Sequence, residues 1–116
     1  MSMVAIILLF FISGCSDDGL CVNNVSESID NSNHEYVAYV FERDCGSTTQ
    51  LSYQVSVLKK GVKLGNPVGN VISSYNEVKV SWSTSDELLI STQGDTDIFK
   101  QETQIGSIKI KYHISN

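Results

Sequence analysis

Apolar and polar side chains alternate with a period of two along most of the chain after Asn33. The alternation is clearest in three segments, residues 51–57, 77–83 and 108–114. In a β-strand successive side chains point to opposite faces, so this period indicates one buried face and one solvated face. Each segment is therefore predicted to form a strand over a small core.

Further strands are predicted between residues that favour turns. Residues 36–41 are apolar on both faces, which is typical of a central strand. Shorter candidates lie at 71–72 and 88–90, and residues 98–99 either begin a strand or pack as part of a loop. Turn-forming residues stand at 59–61, 65–67, 69–70, 85–86 and 94–95. Because such short connections join antiparallel neighbours, the predicted fold is all-β, an antiparallel meander of about six strands in a half-barrel or sandwich.

The two faces of these strands carry different side chains. The apolar face is predicted to form the core, and it includes Tyr53, Trp82 and Tyr112. The opposite face is predicted to be solvated or to bind a partner, and it carries Lys79, Lys109, Lys111, Gln54 and His113.

A short apolar run opens the chain and ends in Ile12-Ser13-Gly14-Cys15. The run is too short to span a bilayer, which takes about 20 apolar residues, and it has the length of a signal-peptide core. The last four residues resemble the lipobox of bacterial lipoproteins. That resemblance implies cleavage before Cys15, a diacylglycerol thioether on its sulfur, and acylation of the new amine by a chain such as palmitate. The alternative is a buried N-terminal strand, which the same apolar residues would suit.

The resemblance also implies an organisation and a location. Residues 1–14 would form the signal peptide, 15–33 a polar lipidated tether, and 34–116 the β domain. Such a chain is held by its lipid at a membrane of the bacterial cell envelope. In Gram-negative lipoproteins an aspartate after the cysteine favours the inner membrane, so Ser16 favours the periplasmic face of the outer membrane.

Cysteine content and charge restrict the function further. If Cys15 carries lipid, Cys21 and Cys45 remain, and an exported chain with one such pair is predicted to form one disulfide. Zinc is the alternative, but these cysteines and the distant His34 and His113 lack ligand spacing, so neither a metal nor a cofactor is predicted. The net charge of −5 and the single arginine argue against nucleic acid as a partner.

The segment Arg43-Asp44-Cys45-Gly46-Ser47-Thr48-Thr49 resembles a motif in a family of small uncharacterised bacterial proteins, Arg-Asp-Cys-Gly-Ala-Thr-Thr after an apolar strand. The similarity extends from about residue 36 to residue 112. This chain differs in having Ser47 where alanine is usual and Gln50 where glycine is common. The resemblance implies a shared fold and implies no activity.

The same segment is the best candidate for a binding site, because function often lies on loops held by a rigid scaffold. The possible binding residues are Arg43, Asp44, Ser47, Thr48 and Thr49. Arg43 could bind a carboxylate or phosphate, with the hydroxyls hydrogen-bonding beside it. In the structural alternative Gly46 permits a tight turn, the hydroxyls cap loose backbone groups, and Arg43 pairs with Asp44 or another acid.

Three functions are compatible with the sequence. The first is a non-enzymatic envelope lipoprotein whose β domain binds a protein or a cell-wall component. The second is a small hydrolase or transferase that uses the loop over 43–50 with His34 or His113, although no catalytic residue can be assigned. The third is a structural stabiliser of the envelope.

Overall fold

The computed structural model describes residues 21–46 and 49–116. The predicted signal peptide and Cys15, and Ser47 and Thr48 of the candidate site, lie outside the described residues. The described part of the chain is built from strands, which confirms the predicted all-β fold. In chain order they are β1 (Val22–Asp30), β2 (Tyr36–Asp44), β3 (Ser52–Lys59), β4 (Ile72–Ser74), β5 (Lys79–Thr84), β6 (Glu87–Gln93), β7 (Ile98–Gln101), β8 (Gln104–Ile105) and β9 (Ile108–Ser115).

The first sheet is antiparallel throughout, in the order β1-β2-β3-β4-β7. β2 pairs with β1 on one side and β3 on the other, so the central strand predicted over 36–41 is confirmed. The predicted tether over 15–33 needs a correction, because its residues Val22–Asp30 form a strand, β1, that pairs with β2. It is an edge strand with mostly exposed side chains and a bulge between Val25 and Glu27. Because β1 buries few side chains and is held by backbone pairing, its sequence shows no alternation of apolar and polar residues.

The second sheet has the order β5-β6-β9-β8, and it contains one parallel pair, β6 with β9. The predicted antiparallel meander of about six strands is therefore replaced, among the described residues, by nine strands in two sheets with one parallel pair. Between β6 and β9 the chain crosses to the first sheet, forms β7 there, and returns through β8. That crossover lets β9 run beside β6 in the same direction, whereas a tight hairpin would make the pair antiparallel.

The two sheets pack face to face around one apolar core, as in a β-sandwich. The buried core residues are Ala38, Val40, Val55, Val57, Val71, Ile72, Val78, Leu88, Ile90, Ile108 and Ile110. Tyr53, Trp82 and Tyr112 pack against this core and are partly buried, in agreement with the core prediction. Most core side chains are β-branched and suit a pleated surface packed on one side.

Two side-chain hydrogen bonds join the sheets near the β1–β2 turn. The indole Nε1 of Trp82 donates to the carbonyl of Ile29 at 2.9 Å. The amide Nδ2 of Asn31, which is only 2% exposed, donates to the carbonyl of Ser85 at 2.7 Å. This end of the sandwich is therefore held by polar bonds as well as by apolar contact.

The connection between β3 and β4 covers part of the outer face of the first sheet. Gln54, predicted to face solvent, is instead 2% exposed. Its Oε1 accepts from Gly69 N at 2.6 Å, and its Nε2 donates to the hydroxyl of Ser52 at 2.9 Å. A Cβ on Gly69 would lie 2.6 Å from the carbonyl of Val55, so only glycine allows this close approach. Phe41, opposite Gln54 in the register, is fully buried.

Candidate functional site

The described residues of the loop over 43–50 hydrogen-bond to one another around Gly46. The carboxylate of Asp44 accepts from Gly46 N at 3.0 Å, and the hydroxyl of Thr49 donates to the carbonyl of Gly46 at 3.1 Å. Gly46 has φ of 115°, in the region that favours glycine. The described polar groups of this loop therefore satisfy its own backbone, as the structural alternative requires.

Arg43 ties three segments together beside the disulfide. Its guanidinium donates to Oδ1 of Asn23 at 2.9 Å and to the carbonyl of Asn66 at 2.8 Å. Asn66 in turn donates to the carbonyl of Cys21, which is disulfide-bonded to Cys45. The predicted disulfide is thus present, but the expected pairing of Arg43 with an acid is not found among the described residues. These contacts favour a structural role for Arg43.

His34 lies at the opposite end of β2 from that loop. Its Nδ1 is 3.1 Å from Oδ2 of Asp30, and Nζ of Lys60 donates to the same oxygen at 2.7 Å. The hydrogen bond from Lys60 has the larger effect and that from His34 the smaller, and together they lower the pKa of Asp30 below its usual 3.8. The length of β2 separates His34 from the loop over 43–50 by roughly 25 Å. The fold therefore does not bring this histidine to the predicted hydrolase site.

His113 lies on the other sheet, on a surface that we call the basic face. The basic face is the solvent-exposed side of the second sheet, and its ionisable strand residues are Lys79, Glu87, Lys109, Lys111 and His113. The register places Lys79, Ser91 and His113 in one row across three strands, and Ser81, Leu89 and Lys111 in the next. Leu89 is 38% exposed near the middle of this face.

The basic face contrasts with the charge of the whole chain. It carries three lysines, one histidine and one glutamate, with Glu77 as a second acid at its pocket end, whereas the chain has a net charge of −5. Lys79, Lys109, Lys111 and His113 are therefore on a solvated face, as the sequence predicted. Positive charge concentrated on one exposed face of an acidic protein provides electrostatic complementarity for an anionic partner.

A pocket of about 560 Å³ opens at one end of the basic face. It is lined by Tyr53, Tyr75, Asn76, Glu77, Lys79, Ser91, Thr92, Gln93, His113 and Ser115. These residues come from β3, β5, β6, β9 and the connection that passes from β4 in the first sheet to β5 in the second. The pocket thus lies where the chain crosses between sheets, and its lining is rich in hydroxyl, amide and charged groups.

Hydrogen bonds hold the β4–β5 side of the pocket in place. Nδ2 of Asn76 donates to the carbonyl of Gln93 at 2.9 Å and to Oδ2 of Asp97 at 2.8 Å. The hydroxyl of Thr92 donates to the carbonyl of Glu77 at 2.7 Å. The backbone on both sides of the pocket is therefore positioned before any ligand arrives, which lowers the ordering cost of binding.

One aromatic residue of the lining, Tyr75, contacts the ring of Phe99. The ring centroids of Tyr75 and Phe99 are 4.8 Å apart with 35° between the planes. Tyr75 is 40% exposed and Phe99 is 55% exposed. Their contact with each other fixes an apolar surface that remains accessible from solvent.

The sequence pattern did not identify the pocket or the asparagines that organise the loops. The side chain of Asn70 pairs with both N and O of Val57, as a strand residue would with its backbone. Asn31 and Asn76 likewise join segments that are distant in sequence. Each asparagine stands near a turn, where this residue is common, but a turn signal does not reveal a partner elsewhere in the chain.

Comparison of the chain with protein-family models, with curated proteins and with solved structures finds no significant match. Among the residues that the structure describes, no group of three or more His, Cys, Asp or Glu side chains is placed to hold a metal ion. The same residues include no helix long and apolar enough to cross a membrane.

Proposed function

We propose that this chain is a lipid-anchored, non-enzymatic binding module of the bacterial cell envelope, and that the basic face is its binding surface. The observation that carries the proposal is the group of Lys79, Lys109 and Lys111 on one exposed, pleated surface of an acidic chain. The partner is an anionic component of the envelope, most simply the cell wall. The lipid would keep the domain close to that partner.

The surface has the features of a docking site for an extended anion. Lys109, Lys111 and His113 alternate along β9 on the same side, so successive basic side chains stand about 7 Å apart. Leu89 gives the centre of this surface an apolar contact beside the charges. Exposed ion pairs contribute only about 0.2 to 1 kcal/mol each, so binding through this face would be salt-sensitive and would need several contacts.

The anchor is the part of the proposal that rests on Ile12-Ser13-Gly14-Cys15. Intact mass of the protein extracted from membranes tests it directly. The expected mass lacks residues 1–14, includes a diacylglycerol and an acyl chain on Cys15, and is two hydrogens lighter than the reduced protein because of the disulfide. A mass that retains the first residues and no lipid would contradict the anchor.

Binding is tested with isolated bacterial sacculi as the probe, in native form and after amidation of their carboxylates. We expect the full chain to sediment with native sacculi at low salt and to be released as salt rises. Reversing two charges, in Lys109→Glu/Lys111→Glu, should weaken binding about tenfold, because two attractions become repulsions. Amidated sacculi should bind weakly.

The matched control is Lys59→Glu/Lys63→Glu, which changes the net charge equally at exposed positions outside the basic face. We expect it to bind native sacculi nearly as well as the unmodified chain. Equal loss in the two double variants would show that only net charge matters, and it would remove the basic face from the proposal.

A further inference from the structure

We propose that the pocket at the end of the basic face binds a saccharide unit that carries a carboxylate. This inference rests on the proposed binding function and deepens it by naming the ligand class. Three independent features of the pocket carry it: the polar character of its lining, the position of its basic side chains, and the aromatic ring of Tyr75.

The lining suits a ligand with many hydroxyl groups. Ser91, Gln93 and Ser115 are exposed polar side chains around the opening, and Glu77 adds a carboxylate acceptor. Hydroxyl and amide side chains both donate and accept, and a carboxylate can accept from two neighbouring sugar hydroxyls. At about 560 Å³ the pocket also lies within the size range of small-ligand sites. A predominantly apolar ligand would instead leave these groups without partners.

The basic side chains of the pocket have a defined spacing. Lys79 and His113 flank Ser91 in one row across β5, β6 and β9. Neighbouring strands lie about 4.8 Å apart, so the two Cα atoms are separated by about 9.6 Å. The long side chain of Lys79 can reach a carboxylate bound over Ser91, while His113 hydrogen-bonds the same group or a hydroxyl beside it. One row thus offers a cation, a hydroxyl and an imidazole to a single anionic sugar.

Tyr75 supplies the apolar contact that a sugar ring needs. The pyranose ring has C–H groups on its faces, and these pack on aromatic rings, while its hydroxyls point outward to polar groups. Tyr75 lines the pocket, and its ring packs against that of Phe99. Exposed aromatic rings beside a polar pocket therefore match both the apolar faces and the hydroxyl edge of a saccharide.

A phosphate ligand fits these residues less well. The only arginine, Arg43, is bonded to Asn23 and Asn66 at a different site, so the pocket has no bidentate guanidinium. Glu77 stands in the lining and would repel a doubly charged group more strongly than a carboxylate. A singly charged saccharide is the ligand that satisfies both the basic side chains and the acid.

The test uses the purified full chain with its disulfide intact and three probes in calorimetric titrations. The probes are an oligosaccharide of alternating hexuronic acid and N-acetylhexosamine, its carboxyl-reduced neutral form, and inorganic phosphate. Ser91→Trp places a large ring in the pocket, and Ser81→Trp places the same ring at an exposed strand position on the same face outside it. Both changes suit a strand, so neither should prevent folding.

We expect the acidic oligosaccharide to bind the unmodified chain, Ser91→Trp to weaken it at least about tenfold, and Ser81→Trp to change it less than about twofold. The carboxyl-reduced probe should bind several-fold more weakly, and Tyr75→Ala should weaken both sugar probes. Binding of inorganic phosphate at least as tight as that of the sugar would overturn the inference. So would sugar binding that Ser91→Trp leaves unchanged.

Failure of this inference is distinguishable from failure of the proposed function. If no sugar probe binds while sacculi still bind through Lys109 and Lys111, the pocket assignment is wrong and the binding module stands. If neither the sugars nor the sacculi bind, both are wrong. Lys109 and Lys111 lie outside the pocket lining, so the two sets of variants report on separate parts of the face.

Discussion

Replacing Asn31 by alanine should destabilise the domain by about 2 to 3 kcal/mol, although the residue stands in a turn. Its buried amide donates to Ser85 O at 2.7 Å and accepts from the backbone N–H groups of Glu35 and Tyr36 at 3.0 Å each. Glu35 N keeps a second acceptor in Asn33, at 3.1 Å. Alanine therefore leaves two backbone groups without partners, each worth about 1 to 1.5 kcal/mol.

The assay is urea and thermal unfolding followed by the fluorescence of Trp82, the only tryptophan. A loss of this size should lower Tm by roughly 10 to 20 °C for a domain of this length. Asn31→Asp keeps the acceptor but replaces the donor to Ser85 by an oxygen, so it should also destabilise. Asn33→Ala removes an exposed side chain and should cost less than about 0.5 kcal/mol. Equal losses in the two alanine variants would refute the assigned bonds.

Three further perturbations test other parts of the structure. Removing the disulfide in Cys21→Ser/Cys45→Ser opens a loop with a sequence separation of 24, and urea unfolding should show a loss of about 3.5 kcal/mol on the chain-entropy model; an unchanged midpoint would contradict it. Burial raises the pKa of Tyr112 from 10.0 to about 12, so the stability from its neutral form is complete below pH 10 and is lost as pH rises through 12. In Tyr112→Phe the free energy of unfolding should fall less steeply across that window, and an identical profile would exclude the effect. Gly69→Ala puts a Cβ 2.6 Å from Val55 O, and thermal unfolding should show a cost of about 2 kcal/mol; a loss below about 0.5 kcal/mol would mean that the loop moves away freely.

Periodicity predicted the strands that bury one apolar face, and it failed for residues whose burial does not follow their polarity. β9 alternates buried and exposed residues and was predicted almost to its ends, whereas β1 is exposed on both faces and was assigned to a tether. Gln54 has the spacing of a solvated residue, but a loop ten or more residues later covers it. The parallel pairing of β6 with β9 depends on a crossover through the other sheet. Local pattern cannot specify such a crossover, because it results from packing two finished sheets together.

The candidate site likewise has one part that the sequence pattern predicts and one part that it does not. The position of Lys79, Lys109 and Lys111 on one face follows from alternation once the buried face is known, and the sequence predicted it for all three. The pocket could not be predicted in this way, because its lining includes Tyr53 and His113, which belong to different sheets and come together only when the two sheets pack. The loop over 43–50 was conspicuous in sequence for its polar composition. Its described groups, Asp44 and Thr49, hydrogen-bond to the backbone of Gly46 beside the disulfide, and binding by this loop stays a prediction.

The register of the first sheet determines where the pocket stands relative to the proposed lipid. Cys21 leads into β1 at the end where β2 finishes and β3 begins, and Tyr53 of the pocket pairs with Ser74 at this same end. Cys21 is the sixth residue after Cys15, an extended reach of about 20 Å. A lipid on Cys15 would therefore hold the pocket end close to the bilayer, while the Asn31 end points away. From the proposed saccharide site it follows that a flexible insertion between Cys15 and Cys21 should change binding to saccharides held on cells, while the affinity for a soluble acidic saccharide stays the same.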